Sequence, residues 1–206
     1  VLCVQEEIYD DLKDMIIGNM QIQTVGDPNF FDTDIGPIIN DKAYKKLTSY
    51  ISVCSEKGYK IHQPNQKVSD MHIAPTLIEI NSISNITEEQ FGPILHILKY
   101  SSNEIDELIN QINRSEYGLT MGIHSRIEAR ADYMSSRSNV GNIYINRDMV
   151  GAVVGSQPFG GIGLSGSGFK AGGPNYLLQF HNEKVVSKNS VAFGGNTELL
   201  NLQEDL

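Results

Sequence analysis

Nine of the 23 residues from Gly151 to Gly173 are glycine. In so dense a stretch, backbone N–H groups stand clear of side chains, and consecutive N–H groups can hold an anion. The run Gly151-Ala152-Val153-Val154-Gly155-Ser156-Gln157-Pro158-Phe159-Gly160-Gly161 is not a phosphate loop of the Walker type, because no Gly-Lys-Ser/Thr closes it. Nor is it a dinucleotide fingerprint, because no helix with an acidic follower comes after it. A glycine-rich connection that only packs tightly would look the same, and the residues alone leave both readings open. A second stretch, Glu88-Glu89-Gln90-Phe91-Gly92-Pro93, stands just ahead of the apolar run that begins at Ile94. An acid and an aromatic placed there can serve a ligand. Taken alone, they read more simply as turn punctuation.

The other residue types that do chemistry are sparse. Cys3 and Cys54 are far apart and belong to no CxxC pair, which fits a reducing compartment. Cys3 sits in an apolar run and Cys54 on the apolar face of a predicted helix. Both read as small buried hydrophobes, not as nucleophiles. The five His form no HxxxH or HExxH pair, so no metal site is expected. A formal net charge of -9 argues against a nucleic-acid binder and otherwise serves solubility. No apolar run is long enough to span a bilayer and no secretory leader is visible, so the expected location is cytoplasmic. With 206 residues, 40% of them hydrophobic, the chain can bury one real core. It opens on Val1-Leu2-Cys3-Val4, which reads as the interior of a strand and gives the expectation of a piece of a longer chain.

The elements that must carry these residues alternate. Val1 to Gln5 predicts a strand, and Ile8, Leu12, Met15 and Ile16 recur at helical spacing. Gly26-Asp27-Pro28 is a turn. Ala43, Tyr44, Leu47, Tyr50, Ile51 and Cys54 predict a second helix, stopped by Gly58. Met71 to Ile80 is a strand candidate, with Pro75 marking an edge or a bulge. Ile94 to Tyr100 is the clearest buried strand, and Ser101 with Glu104 makes a capping box for a helix striped by Ile105, Leu108, Ile109 and Ile112. Leu119–His124, Arg126–Ser136 and Gly141–Asn146 then read as strand, helix and strand. Strands separated by helices of this length imply right-handed crossovers and a mostly parallel sheet. Leu177 to Phe180 predicts a short helix, Glu183 to Asn189 a strand, and Ala192 onward a tail.

Several of these pieces, in this order, resemble the C-terminal signatures of the aldehyde dehydrogenases. They are Gly26-Asp27-Pro28, Thr33-Asp34-Ile35-Gly36-Pro37, Glu89-x-Phe91-Gly92-Pro93, and Asn113 with Tyr117-Gly118-Leu119. Gly141-Asn142-Ile143-Tyr144-Ile145-Asn146 and Pro158-Phe159-Gly160-Gly161 with Ser165-Gly166 follow. The run from Asn146 to Gly155, with Lys170-Ala171-Gly172-Gly173-Pro174, is similar to the glutamate-semialdehyde (1-pyrroline-5-carboxylate) dehydrogenase branch. Asn189 to Asn196 supports the bifunctional bacterial form of that branch, which is joined to proline dehydrogenase, over the monofunctional one.

The resemblance implies an α/β fold, a three-layer α/β/α catalytic domain with a mostly parallel sheet. It divides the chain into 1–180, part of that domain, and 181–206, a strand of the oligomerisation flap with a tail. It implies oxidation of L-glutamate γ-semialdehyde to L-glutamate with NAD, and FAD only if a proline dehydrogenase module is present. Glu89 would hold the nicotinamide ribose hydroxyls and Phe91 would pack near the nicotinamide ring. Gly151 and Ala152 would present N–H groups to the substrate carboxylate, and Phe159 would wall its aliphatic part. Asn146, Gly160 and Gly161 would shape the pocket. The family's nucleophilic cysteine, its glutamate base, its asparagine oxyanion donor and its NAD-binding domain all align upstream of Val1. No catalytic residue is therefore expected within the chain, and the isolated chain is expected to be inactive. A homodimer or higher oligomer is expected. Another aldehyde dehydrogenase branch, or a non-catalytic assembly domain, remains the alternative, and the Gly151-Ala152 loop discriminates between branches.

Overall fold

A computed structural model of the chain describes residues 1–66, 68–189 and Ala192. Side chains on a strand alternate between faces, and here the two faces meet different helices. The central sheet has the order β1-β4-β3-β2, made from β1 (Leu2–Gln5), β2 (Ile61–His62), β3 (Thr76–Ile80) and β4 (Ile94–Tyr100). β1, β4 and β3 run parallel, and β2 adds an antiparallel edge. Val4, Leu77 and Ile97 pack with Tyr9, Leu12, Ile16 and Met20 of α1 (Glu6–Ile22) on one face. Ile78, Ile80, Leu98 and Cys3 turn the other way. They pack with Tyr50 and Cys54 of α2 (Asp41–Glu56) and with Leu108 and Ile112 of α3 (Ile105–Arg114). Helix, sheet and helix are the three layers. Leu77, Ile78 and Ile97 are wholly excluded from solvent, and burying each such side chain stabilises by roughly 1.5–3 kcal/mol.

The rest of the chain continues this core without continuing its ladder. β6 (Thr120–Ile123) and β7 (Asn142–Ile145) form a separate parallel pair, joined through α4 (Glu128–Arg137). β5 (Tyr117–Gly118) pairs with β8 (Ile162–Gly163) in a third, antiparallel sheet. The strands between Ile94 and Asn146 therefore do not share one ladder. α3 is what connects them, because Leu108 faces the central sheet while Ile109 packs with Ile123, Ala131 and Met134. The capping box is present: Ser101 N–H donates to Glu104 Oε2 at 3.1 Å, ahead of a short 3-10 turn.

Three expectations are corrected. The strand predicted from Met71 begins only at Thr76, where the ladder with β4 starts opposite Ile94, and Met71 itself has a φ of 68°, outside the extended region. Pro75 marks neither an edge nor a bulge. It precedes the strand, so its missing N–H falls outside the ladder, and β3 lies inside the sheet between β4 and β2. Glu183–Asn189 forms no strand. A strand exists only through a partner ladder, and no described segment supplies one. The short helix is found as a 3-10 turn at Leu177–Phe180. The tail motif beyond Asn189 lies outside the described residues, except for Ala192.

Candidate functional site

β7 carries the best-built candidate. Its period of two sends Ile143 into the cluster around Ile109 and Ile123. Asn142 and Tyr144 therefore project from the opposite face, toward the glycine-rich loop. Asn142 clamps that loop with both ends of its amide: Nδ2 donates to Pro158 O at 3.0 Å, and Oδ1 accepts from Gly160 N–H at 3.1 Å. Phe159 lies between the two clamped residues. It is further held by a bridge to Ala171, with N–H···O distances of 3.1 and 2.8 Å. Gly141 permits this approach, because a Cβ there would run into the Gly160 carbonyl and the Lys170 ammonium. Lys170 Nζ donates to that same carbonyl, and burial lowers its pKa from the usual lysine range.

β7 ends at Ile145, and the next residue, Asn146, has a φ of 54°. Its side chain accepts from Ser125 N–H at 2.9 Å and donates to Ser125 O at 2.8 Å, fixing the point where the loop departs. The loop then closes on itself through paired bonds between Val153 and Gln157. Its amides divide sharply. Val150 N–H goes to Asp148 Oδ1 at 3.4 Å and Val153 N–H to Gln157 O at 2.9 Å. Gly151 and Ala152 N–H meet no acceptor among the described residues, and both residues are exposed. Gly151 has a φ of 113°, which L side chains rarely adopt. The anion-holding option left open by the residues thus acquires two unengaged, adjacent donors.

Glu89 and Phe91 lie elsewhere, in the exposed loop that leads into β4. Lys46 pairs with Glu88 at 2.9 Å, while Glu89 has no hydrogen-bond partner among the described residues. Phe91 is 86% exposed. The loop is anchored at Gly92, whose missing side chain makes room for Leu47 of α2. Gly92 and Pro93 also line an apolar groove of about 620 Å³ beside Met15, Ile16 and Met20 of α1. Among the described residues, no hydrogen bond or salt bridge joins this loop to the Gly151 loop. A separate cavity of about 390 Å³ lies between Pro158, Phe169, Lys170 and Pro174, and Gly151, Ala152 and Phe159 do not line it.

The cysteines sit where the sequence places them. Cys3 lies on β1 against the core around Ile78, and burial pushes its thiol up to about 11. A thiol held protonated is a poor nucleophile. Cys54 is buried on α2. Among the described residues, no three His, Cys, Asp or Glu come together in a way that could hold a metal ion. No helix among them is long and apolar enough to cross a membrane.

Sequence reasoning named the loop but missed the side chains that shape it. Besides Asn142, these are Tyr144, Arg147 and Gln157. Tyr144 Oη donates to Gly151 O at 3.3 Å, and Arg147 Nη1 donates to Gln157 Oε1 at 3.1 Å. The polar alternation Asn142-Ile143-Tyr144-Ile145-Asn146 was the available signal. It predicts a strand, but local spacing does not say what the polar face of that strand meets. Asn113, part of another motif, turns out to be a staple between helices: it donates to Arg137 O at 2.9 Å and accepts from Asn139 N–H at 2.7 Å.

Comparison with known proteins bears on all of this. The family model described as "Aldehyde dehydrogenase family" matches residues 1–186. The bifunctional protein PutA of Escherichia coli (strain K12) is 45% identical over 187 residues, covering 87% of this chain and 14% of that protein. The 1-pyrroline-5-carboxylate dehydrogenase 1 of Halalkalibacterium halodurans is 34% identical over 188 residues, covering 90% of this chain and 36% of that protein. A crystal structure of Bradyrhizobium japonicum Proline Utilization A, a mutant form, superposes with a TM-score of 0.83 at 41% identity. It covers 93% of this chain and 20% of that one. The chain spans 14–15% of the length of the PutA proteins it matches.

Proposed function

Since the chain belongs to the aldehyde dehydrogenase family, we propose that it forms part of the catalytic domain of an NAD-dependent L-glutamate γ-semialdehyde dehydrogenase. The relatives that support this choice of branch are PutA and 1-pyrroline-5-carboxylate dehydrogenase proteins. The observation that carries it here is the pair of unengaged amides at Gly151 and Ala152. A carboxylate-bearing aldehyde needs donors that no side chain shields, and this loop offers two in succession. Phe159, clamped on both sides by Asn142, supplies an apolar wall for the substrate's methylenes. We assign residues 1–180 to the catalytic domain and 181–206 to an oligomerisation flap and tail. The exposed pair Val185 and Val186 suits a flap that is covered by a partner subunit.

Glu89 and Phe91 suit the nicotinamide end of NAD. The Glu89 carboxylate has both oxygens free to accept from a ribose diol, and Phe91 presents an open aromatic face. When bound, NAD supplies the hydride acceptor of the oxidation. The residues of this chain hold and orient. Glu89 fixes the ribose, Gly151 and Ala152 fix the carboxylate end of the substrate, and Phe159 excludes water from its middle. FAD enters only where the protein also carries a proline dehydrogenase module.

The test is NADH formation by the intact protein that carries this chain, compared across aldehydes. A kcat/KM for glutamate semialdehyde on the order of 10²-fold above that for propanal is expected from two charge-assisted hydrogen bonds. Equal efficiency on both would move the chain to another branch of the family.

A further inference from the structure

The two amides assigned to the substrate carboxylate are aimed by side chains that stand behind them. Gly151 N–H shares its peptide with the Val150 carbonyl, and Ala152 N–H shares its peptide with the Gly151 carbonyl. No described peptide bond is cis. In a planar trans peptide the C=O and the N–H point in opposite directions, so holding the carbonyl fixes where the amide points. Both carbonyls are held. Arg147 Nη2 donates to Val150 O at 3.2 Å, and Tyr144 Oη donates to Gly151 O at 3.3 Å. The two donors are neighbours, with the guanidinium carbon 5.1 Å from the centre of the Tyr144 ring. Both carbonyls are therefore drawn to one place, and the two N–H groups turn together toward the opposite side. Gly151 holds this arrangement at a φ of 113°, which L side chains rarely adopt.

We propose that Tyr144 and Arg147 are positioning residues that set selectivity for carboxylate-bearing aldehydes without touching the substrate. This rests on reading Gly151 and Ala152 as the carboxylate anchor. Tyr144 is suited to the task because it is 7% exposed and rooted in β7, so its hydroxyl is a fixed point for a loop that is otherwise open to solvent. The rival role for Arg147 is direct charge pairing with the carboxylate. Its nitrogens argue otherwise, because they are directed into the loop. Nη1 goes to Gln157 Oε1 at 3.1 Å, Nε to Asp148 O at 3.3 Å, and Nη2 to Val150 O and, at 3.5 Å, Asp148 Oδ1. A guanidinium fork can tie these points together at once. An ammonium on a flexible stem keeps the charge but loses the fork.

The experiment measures kcat and KM of the intact protein for glutamate semialdehyde and for propanal, in Tyr144→Phe, Arg147→Lys and Arg147→Met, with Ala152→Leu alongside. Tyr144→Phe should raise KM for glutamate semialdehyde about fivefold, the order set by one ordinary hydrogen bond. Its kcat, and kcat/KM for propanal, should stay within about twofold, since only an interaction specific to the charged substrate is weakened. Arg147→Lys should lose as much selectivity as Arg147→Met. Rescue by lysine would overturn the positioning role in favour of a charge role, and equal effects on both aldehydes would reduce Tyr144 to scaffold. If Ala152→Leu is selective and Tyr144→Phe is not, the positioning inference alone fails. If Ala152→Leu is itself unselective, the anchor reading fails first and takes this inference with it.

Discussion

Replacing Ala152 by leucine probes the anchor with the least disturbance to anything else. The turn from Val150 to Val153 has four amides, and two are already engaged, by Asp148 and by Gln157. The anchor can therefore use only Gly151 and Ala152. A hydrogen bond to a charged group contributes roughly 1.5–3 kcal/mol, so two contribute about 3–6 kcal/mol before the carboxylate's lost hydration is subtracted. That leaves discrimination on the order of 10²-fold against an uncharged analogue. Leucine at 152 sets three further carbons beside the second amide while leaving the backbone conformation of an L residue unchanged. Ala152 is exposed, so little stability should be lost, within about 0.5 kcal/mol. Gly151→Ala would be a poorer probe. The space there is open, with Arg147 Nη2 the nearest atom at 4.0 Å, and the penalty would come from the φ of 113° itself. The assay is steady-state NADH formation by the intact protein. For Ala152→Leu, kcat/KM for glutamate semialdehyde should fall on the order of 10²-fold, and that for propanal by less than about fivefold. Matching losses for the two aldehydes, or no loss for either, would refute the anchor and reduce the loop to scaffold.

Three other changes test the surrounding framework. Asn142→Asp keeps an acceptor for Gly160 N–H but sets a charged oxygen against Pro158 O. It should destabilise the loop by roughly 1–3 kcal/mol and lower kcat/KM for all aldehydes alike. Unchanged kinetics would show that the clamp does not position Phe159. Gly141→Ala drives a methyl group into the Gly160 carbonyl, and thermal melting should fall by several degrees, as about 1–3 kcal/mol of overpacking implies. An unaltered melt would mean that the loop yields freely. His96, buried beside the Tyr50 hydroxyl at 2.8 Å, has its pKa pulled down from 6.5 to about 4 by burial. Between those values the unfolded chain takes up a proton that the folded chain refuses. The stabilisation is therefore present above pH 6.5 and lost as pH falls toward 4, by roughly 2 kcal/mol after allowance for solvent screening. His96→Gln should flatten the fall in denaturation midpoint over that interval, and identical slopes would sink the assignment.

Elements with a strong local period were legible from the residues. The stripe Ile105, Leu108, Ile109 and Ile112 located α3, and the apolar run from Ile94 located β4, because burial on one face or on both writes itself into spacing. β2 was not legible. It has two residues, and it is defined only by the register Ile61↔Ile78 and His62↔Leu77, which no local pattern encodes. The break between the central sheet and the β6-β7 pair was hidden for the same reason, since helix and strand spacing cannot say which strands share a ladder. In the candidate site, glycine density pointed to the loop around Gly151. The Asn142 clamp was invisible because its partners lie 16 and 18 residues along the chain.

The site and the core turn out to share a register. In the parallel β6-β7 pair, Met121 lies opposite Ile143 and Gly122 opposite Tyr144. Ile143 and Met121 both join the cluster around Ile109 and Ile123, so burial of that face dictates that Asn142 and Tyr144 meet the loop. A slip of one residue would reverse every side chain and expose the cluster, which is why so short a strand can hold its polar residues to one side. Gly122 is the matching concession on the loop face. A Cβ there would come within 3.2 Å of the Met149 side chain, at the start of the segment that leads to Gly151. Two apolar residues thus fix the direction in which Tyr144 points. One glycine then leaves room for the loop to come back over it, and the placement of the two amides follows from core packing as much as from the loop's own sequence.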